Sequence, residues 1–530
     1  MGSIQVSHVS WRRPGGATLL DDVSFHVGDG EHVALVGANG VGKTTLLRLL
    51  TGEATGHTGT ITVDGHLGVL RQLVGQQHDA ATVRDLFESL APARFRRVAA
   101  VLHAAEREMA DHPLDADLAV AYAAALHDWG EAGGYDLEVF WDTCATKAIG
   151  RPFTEIADRP LATFSGGEQK RLGLRVLLDG EHDVLLLDEP DNFLDIPGKR
   201  WLEAELRACP KTILFVSHDR EVLAACATKI VTVEGNGAWT HGGSFATYHE
   251  ARDAHRARLE HHATLYDRER ERLVELVKEM RRRAKVSDTF APKLKAAESR
   301  LRQFDERNAP PVTVQEQRIN VRLRGARTGK KVLTLEQLEL AGLTDPFDAE
   351  IWFGERVAVL GPNGAGKSHF LRLLGGDTTV EHAGRVTLGA NVRPGAFSQT
   401  HHHPELRGRT LLDILEGRDV VRGPAMAMLR RYELQGCAEQ WFETLSGGQQ
   451  ARFQIVLLEL AGATLLLLDE PTDNLDLVSA EALESGLAGF EGTVIAVTHD
   501  RWFLRGFDRF LVFDADCRVT DHLEPPALYR

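Results

Sequence analysis

The sequence predicts an α/β protein of two phosphate-loop domains, each with a helical subdomain, joined by an α-helical hairpin. Three observations carry that reading. A set of phosphate-handling motifs occurs twice in the same order. Each set follows short apolar runs of the kind found in buried parallel strands. Between the two sets lies a highly charged segment with helical spacing. At 530 residues the chain is too long for a single core, so two domains and a connector are expected. The predicted boundaries are 1–247, 248–312 and 313–530.

The first domain opens with Ile4–Val9, which alternates like a half-buried strand. His32–Val36 then feeds the loop Gly37-Ala38-Asn39-Gly40-Val41-Gly42-Lys43-Thr44, and a helix is expected from Thr44 to Leu50. In the second domain Val357–Leu360 feeds Gly361-Pro362-Asn363-Gly364-Ala365-Gly366-Lys367-Ser368. Small residues between a strand and a helix let backbone N–H groups converge on phosphate oxygens. Gly37, Asn39, Gly40, Gly42 and Thr45 are candidate nucleotide contacts, as are Gly361, Asn363, Gly364, Gly366 and His369. Lys43 and Lys367 bring positive charge to the β- and γ-phosphates. Thr44 and Ser368 offer hydroxyls to Mg²⁺. ATP and Mg²⁺ are the implied ligands.

Asp188 and Asp469 end the apolar runs Leu185–Leu187 and Leu466–Leu468, placing a carboxylate beside the metal. Glu189 and Glu470 come next in sequence, where a carboxylate can orient or deprotonate an attacking water. His218 and His499 each lie 30 residues beyond the Asp, and the matched offset predicts a γ-phosphate sensor. Ser165-Gly166-Gly167 and Ser446-Gly447-Gly448 each precede their Asp by 23 residues from the Ser. They present N–H groups at a helix start but have no evident task within their own half. Two halves facing head to tail would let Ser165 and Gly167 close the Lys367 site, and Ser446 and Gly448 the Lys43 site.

The halves differ between Gln72 and Ser165, which are 93 residues apart, against 47 from Gln399 to Ser446. The first domain should therefore carry an enlarged helical subdomain, around Val98–Leu126. In the connector, Leu273, Leu276, Val277 and Met280 form one apolar stripe, and Leu294, Ala297, Leu301 and Phe304 another. Two antiparallel helices are expected, with their turn near Ser287–Pro292. Residues 251–331 hold 22 Lys+Arg and 12 Asp+Glu, while the whole chain has net charge −15. An acidic body with a basic prong points any polyanion to the prong. Arg281, Arg282, Arg283, Lys285, Lys293 and Lys295 are the candidate RNA contacts.

Other functions are disfavoured. No apolar run approaches the roughly 18 residues that span a bilayer, and Met1–Ser10 lacks the features of a secretory leader. The five cysteines are scattered without a C-x-x-C pair, which suits free thiols in a reducing compartment. His401-His402-His403 has no second ligand cluster.

The motif set resembles the ATP-binding cassette ATPases over both halves: Walker A, Q-loop (Gln72, Gln399), signature, Walker B, D-loop (Asp195, Asp476) and H-switch. Two fused cassettes around a charged hairpin, with no membrane segment, resemble the ABC-F family in particular. That resemblance implies a cytoplasmic monomer whose cassettes pair within one chain. Its hairpin would enter the tRNA exit region of the ribosome and contact rRNA and tRNA. It also implies metal contacts from Gln72 and Gln399, and an adenine-stacking aromatic at Trp11. No aromatic aligns well in the second half; Phe347 and Trp352 fit poorly. The family includes translation factors and proteins that protect ribosomes from antibiotics. The arginine-rich composition is similar to that of resistance-type members. The ATPase component of an exporter, working with a separate membrane subunit, is the alternative.

Overall fold

The structure is a computed structural model that describes residues 2–71, 81–285, 290–307, 319, 321–323, 325, 327–398 and 403–529. Gln72, Gln399, His401, His402 and the expected turn at Ser287–Thr289 lie outside these residues.

Each half is built around a six-stranded sheet. In the first, the strands run in the order Leu67–Leu70, Val184–Asp188, Thr212–Val216, His32–Gly37, Lys229–Glu234 and Gly237–His241. All neighbours pair in parallel except the last two. The second half repeats the order with Pro394–Phe397, Leu465–Asp469, Thr493–Val497, Arg356–Leu360, Arg509–Phe513 and Val519–His522. The central strands have every residue buried, as at Val184–Asp188 and Leu465–Asp469. This explains their continuous apolar runs: both faces are covered.

A three-stranded antiparallel sheet stands against each core, made of Thr18–Val27, Ser3–Arg12 and Thr58–Asp64 in the first half. Its inward residues Ile4, Val6 and Val9 meet Leu46, Leu49 and Leu50 of the helix Lys43–Leu50. The phosphate loop is thus held between two sheets. The loop turns into its helix through Gly42 and Gly366, whose φ values are +113° and +93°. A side chain is strained in that region, and glycine is not.

The enlarged subdomain of the first half consists of Val83–Leu90, Ala93–Asp111, Ala116–Glu131, Gly134–Ile149 and the single turn Phe153–Ile156. Phe87, Trp141 and Phe153 pack together at its base, with ring centroids 5.1 to 5.9 Å apart. Among the described residues, the α-helices of the second half in this region are Leu411–Glu416 and Arg422–Arg431.

The connector forms the predicted pair of helices, Tyr248–Ala284 and Ala291–Arg307. Val277 and Ala297, one from each predicted stripe, are buried between them. Tyr266 and Phe304 pack with tilted rings 5.1 Å apart, and Arg270 bonds Asp305 at 3.0 Å. Among the five cysteines, all free, Cys144, Cys226 and Cys437 are buried; Cys209 and Cys517 are half-buried.

Candidate functional site

The two phosphate loops lie at the interface between the halves, each facing the other half's signature segment. Ser165 caps the helix Gly166–Asp179 and Ser446 caps Gly447–Ala461; each is the N-cap of a capping box. Their first N–H groups open onto the opposite loop. The Asn39 backbone N–H donates to Asp476 Oδ2 at 3.1 Å, and its Nδ2 to the Asn474 carbonyl at 2.9 Å. Asn363 Nδ2 donates to the Phe193 carbonyl at 3.1 Å. Gly448 lies so close to the Asn39 amide that a Cβ there would clash with it. The head-to-tail pairing drawn from the sequence is the arrangement seen.

At the first site a cavity of about 380 Å³ is lined by Trp11, Asn39, Gly40, Gly42, Lys43, Thr44, Thr45, Glu189 and His218 on one side. Ser446, Gly447, Gly448, Asp473 and Asn474 line the other. Trp11 Nε1 donates to the Thr55 carbonyl at 3.0 Å, which fixes the ring at the cavity's edge. Lys43 Nζ donates to the Gly37 and Ala38 carbonyls at 2.8 and 3.1 Å, and Lys367 Nζ to Gly361 and Pro362, both at 2.8 Å. Burial lowers the pKa of both lysines, against the pull of nearby carboxylates. An incoming polyphosphate would relieve that strain. In the second loop, Ser368 is half-buried and His369 is exposed.

Asp188 is buried, and its Oδ1 has no hydrogen-bond partner. Burial, then the neighbouring Glu189 charge, pushes its carboxyl up to about 6. A hard cation fits such a place: it supplies the missing partner and the missing charge. Thr44 and Asp188 would hold Mg²⁺ at the first site, and Ser368 and Asp469 occupy the matching positions at the second.

Glu189 and Glu470 both adopt left-handed backbone, with φ of +49° and +46°. This is uncommon for a non-glycine residue, and such outliers cluster where function requires them. The two carboxylates are held differently. Asn192 Nδ2 donates to Glu189 Oε2 at 2.6 Å. Glu470 Oε2 accepts from the His499 backbone N–H at 3.0 Å, and its Oε1 lies 3.4 Å from His499 Nε2. Both ring nitrogens of His218 are buried without a hydrogen-bond partner. Burial, then the charge of Lys43, lowers its pKa to about 3. His499 is lowered well below its ordinary value by burial, Lys367 and Lys199. Both shifts favour the neutral imidazole.

Several interface residues escaped the sequence reading. Arg220 forms a bidentate pair with Glu484 of the other half and also reaches Asp500. Arg501 forms the mirror pair with Glu203. These glutamates each lie 14 residues beyond the Walker B Glu, so the repeat itself held the signal. Lys170, fully buried, donates to the Glu189 carbonyl at 2.9 Å. At the hairpin, Lys285, Lys293 and Lys295 are exposed. Arg281 bonds Glu298 at 2.8 Å, Arg283 bonds Glu279 at 2.7 Å, and Arg282 lies 3.6 Å from Glu279.

The strand register also settles which residue of the second half matches Trp11. His8 and Gln337 are left-handed bulge residues at φ +52° and +48°. Gly59 and Gly384 pack against their carbonyls in the same way. Trp11 is three residues past the first bulge and Leu340 three past the second. Leu340 is fully buried in the core. Phe347 packs inward on Phe370 and Phe513, and Trp352 lies beside Lys331.

A family profile described as ABC transporter matches residues 20–192 and 344–473. The chain is 51% identical over 550 residues to a Mycobacteroides abscessus protein named "Antibiotic resistance protein", covering 99% of this chain and 100% of that one. It is 31% identical over 524 residues to the tylosin resistance ATP-binding protein TlrC of Streptomyces fradiae, covering 93% and 94%. It is 30% identical over 511 residues to ABC transporter F family member 5 of Arabidopsis thaliana, covering 92% and 72%. Among solved structures, archaeal ribosome recycling factor aABCE1, in complex with ribosomal stalk protein aP1, aligns with a TM-score of 0.56. Its identity is 18%, over 95% of this chain and 87% of that one, a likeness of fold alone. No helix among the described residues is long and apolar enough to cross a membrane.

Proposed function

The chain belongs to the ABC-F family of ATP-binding cassette proteins, and from that premise we propose that it is a cytoplasmic ATPase that protects ribosomes from an antibiotic. It closes on two ATP molecules, binds the ribosome through its hairpin while closed, and leaves after hydrolysis. Its working parts are cassettes at 1–247 and 313–530 and a hairpin at 248–312. The single observation behind this reading is that each phosphate loop is completed in trans, through Asn39 on Asp476 and Asn363 on Phe193. A γ-phosphate at such a joint touches both halves. Losing it removes the contact that favours closure. The resistance role draws on the names of two relatives, one of them 51% identical.

In this reading Lys43 and Lys367 exchange their carbonyl partners for phosphate oxygens, with backbone N–H groups of the loops and of Ser165–Gly167 and Ser446–Gly448 around them. Trp11 stacks on the adenine of the first site. Bound Mg²⁺ would offset charge on the phosphates, held by Thr44 and Asp188 at one site and Ser368 and Asp469 at the other. Gln72 and Gln399 are assigned there by resemblance. Glu189 and Glu470 orient the attacking water and accept its proton as the γ-phosphorus is attacked. His218 and His499 hydrogen-bond the γ-phosphate. Lys285, Lys293 and Lys295 meet the RNA backbone, while Arg281, Arg282 and Arg283 stiffen the prong and add to its field.

Glu189→Gln with Glu470→Gln, in the full chain with ATP, should cosediment with ribosomes, and the wild-type chain should raise drug tolerance of translation in an extract. Protein that stays free of ribosomes, or that partitions with membranes, would overturn the proposal.

A further inference from the structure

The interface between the cassettes is nearly two-fold. Arg220 on Glu484 mirrors Arg501 on Glu203, and Asp195 and Asp476 cap matching helices. The buried side chain of Lys199 departs from that symmetry. Lys199, ten residues past Glu189, is fully enclosed on the helix Ile196–Ala208; ten residues past Glu470 stands Ala480. Lys199 Nζ donates to the His499 carbonyl of the other cassette at 3.1 Å and pairs with Asp219 at 2.9 Å. His499 in turn gives its own N–H to Glu470. One residue is therefore gripped on its N–H side by the Walker B glutamate and on its C=O side by a lysine from across the interface.

A second position changes in step. Three residues past Glu189 is Asn192, while three past Glu470 is Asp473, within the field of Lys199. The second cassette thus carries an extra acid within the field of the lysine that reaches across from the first. The symmetry-related positions hold asparagine and alanine. A lysine ammonium removed from water needs charged or polar partners. Asp219 of its own cassette supplies one, and the carbonyl of His499 adds a second only when the cassettes are closed.

We propose that Lys199 is a positioning residue for hydrolysis at the second site, fixing the switch residue His499 across the closed interface. This rests on the ATPase reading above. Lys199 acts through the backbone that aims the His499 ring and braces Glu470. The grip exists only in the closed form, so the second site is assembled by closure in a way the first is not.

The test uses the full chain. Lys199→Met is placed in a Glu189→Gln background, where only the second site hydrolyses, and in a Glu470→Gln background, where only the first does. Phosphate release should fall about 10- to 100-fold in the former, the scale set by misplacing a group near the chemistry, and less than about twofold in the latter. Hydrogen exchange across 498–503 should rise on Lys199→Met in the ATP-bound Glu189→Gln, Glu470→Gln chain, where the cassettes are closed. Where Lys199→Met lowers the melting temperature, Lys199→Met with Asp219→Asn removes charge and counter-charge together. That pair should regain stability while the second site stays slow. Equal losses at both sites, no loss at the second, or exchange across 498–503 unchanged by Lys199→Met would each overturn the inference. A wild-type chain that releases no phosphate would overturn the ATPase reading instead, and the exchange measurement would still judge the Lys199 contact.

Discussion

Replacing Glu203 with alanine should cripple closure without unfolding either cassette. Its carboxylate is the bidentate partner of Arg501 across the interface, and both side chains are less than a tenth exposed. Removing one member of a buried ion pair typically costs about 3–5 kcal/mol, because the other charge stays desolvated. Asp219 also acts on Arg501 and recovers part of this, so about 3 kcal/mol is the working figure, near the lower bound of that range. When the cassettes part, Arg501 returns to water, so the penalty falls on the closed form alone. It corresponds to roughly a hundredfold in the closed-to-open ratio. The mirror change, Glu484→Ala, should cost less, about 1–2 kcal/mol. Glu484 is a quarter exposed, and Arg220 keeps Asp500 at 3.3 Å. The assay is fluorescence transfer between labels on the two cassettes, titrated with ATP in the Glu189→Gln, Glu470→Gln background. Arg501→Met with Glu203→Leu completes a double-mutant cycle, and an apolar pair should restore much of the closure. If Glu203→Ala closes as readily as its parent, or the cycle shows no coupling, the pair does not hold the interface and the reasoning fails.

Three further outcomes follow from particular side chains. Trp11→Ala should weaken nucleotide at the first site by about 1–3 kcal/mol, the worth of base–aromatic stacking. Leu340→Ala should act only through core packing, and equilibrium binding in single-site backgrounds separates them. Charge removal at exposed Lys285, Lys293 and Lys295 should lower ribosome affinity and flatten its salt dependence. The slope should fall by about one for each phosphate no longer neutralised; removing Arg281, which is bonded to Glu298, should flatten it less. His182 is buried, and burial followed by Lys211 lowers its pKa to about 4. The unfolded chain therefore takes up the proton first, so stability is full above about pH 6.5 and declines as pH falls toward 4. His182→Gln should flatten the melting temperature across that range.

What the sequence made legible follows from what the chemistry requires in fixed order. A phosphate loop, an acid at a strand end and a switch histidine must sit at set positions on one sheet, so their offsets repeat at 30 and 23 residues. The trans pairing of Ser446 with Lys43 was legible for a related reason: a helix N-terminus with no ligand in its own half needs one elsewhere. The hairpin stripe was legible through periodicity, since Val277 and Ala297 had to face something. Partners fixed only by docking were not. The repeat places Arg220 and Glu484 at matched offsets, but it does not say that they pair across 264 residues, nor does it tie Arg281 to Glu298 at the hairpin. Trp11 and Leu340 do not align on residue type, because the loops after them differ in length. The left-handed bulges at His8 and Gln337 supply the register that composition conceals.

The tandem arrangement also explains how two sites built from one plan can diverge. Each site takes its phosphate loop from one cassette and its closing surface from the other. A change in one cassette is therefore felt in cis at one site and in trans at the other. In a dimer of identical chains, a lysine at the Lys199 position would appear at both sites, as would an acid at the Asp473 position. Here Lys199 lies a few residues after Glu189 of the first site, yet directs its charge to His499 of the second. Asp473 follows Glu470 of the second site, yet lines the cavity of the first. Each departure from symmetry links the sites rather than simply marking one of them. The residues that make the sites unequal are the same ones that make each depend on the other's cassette being in place.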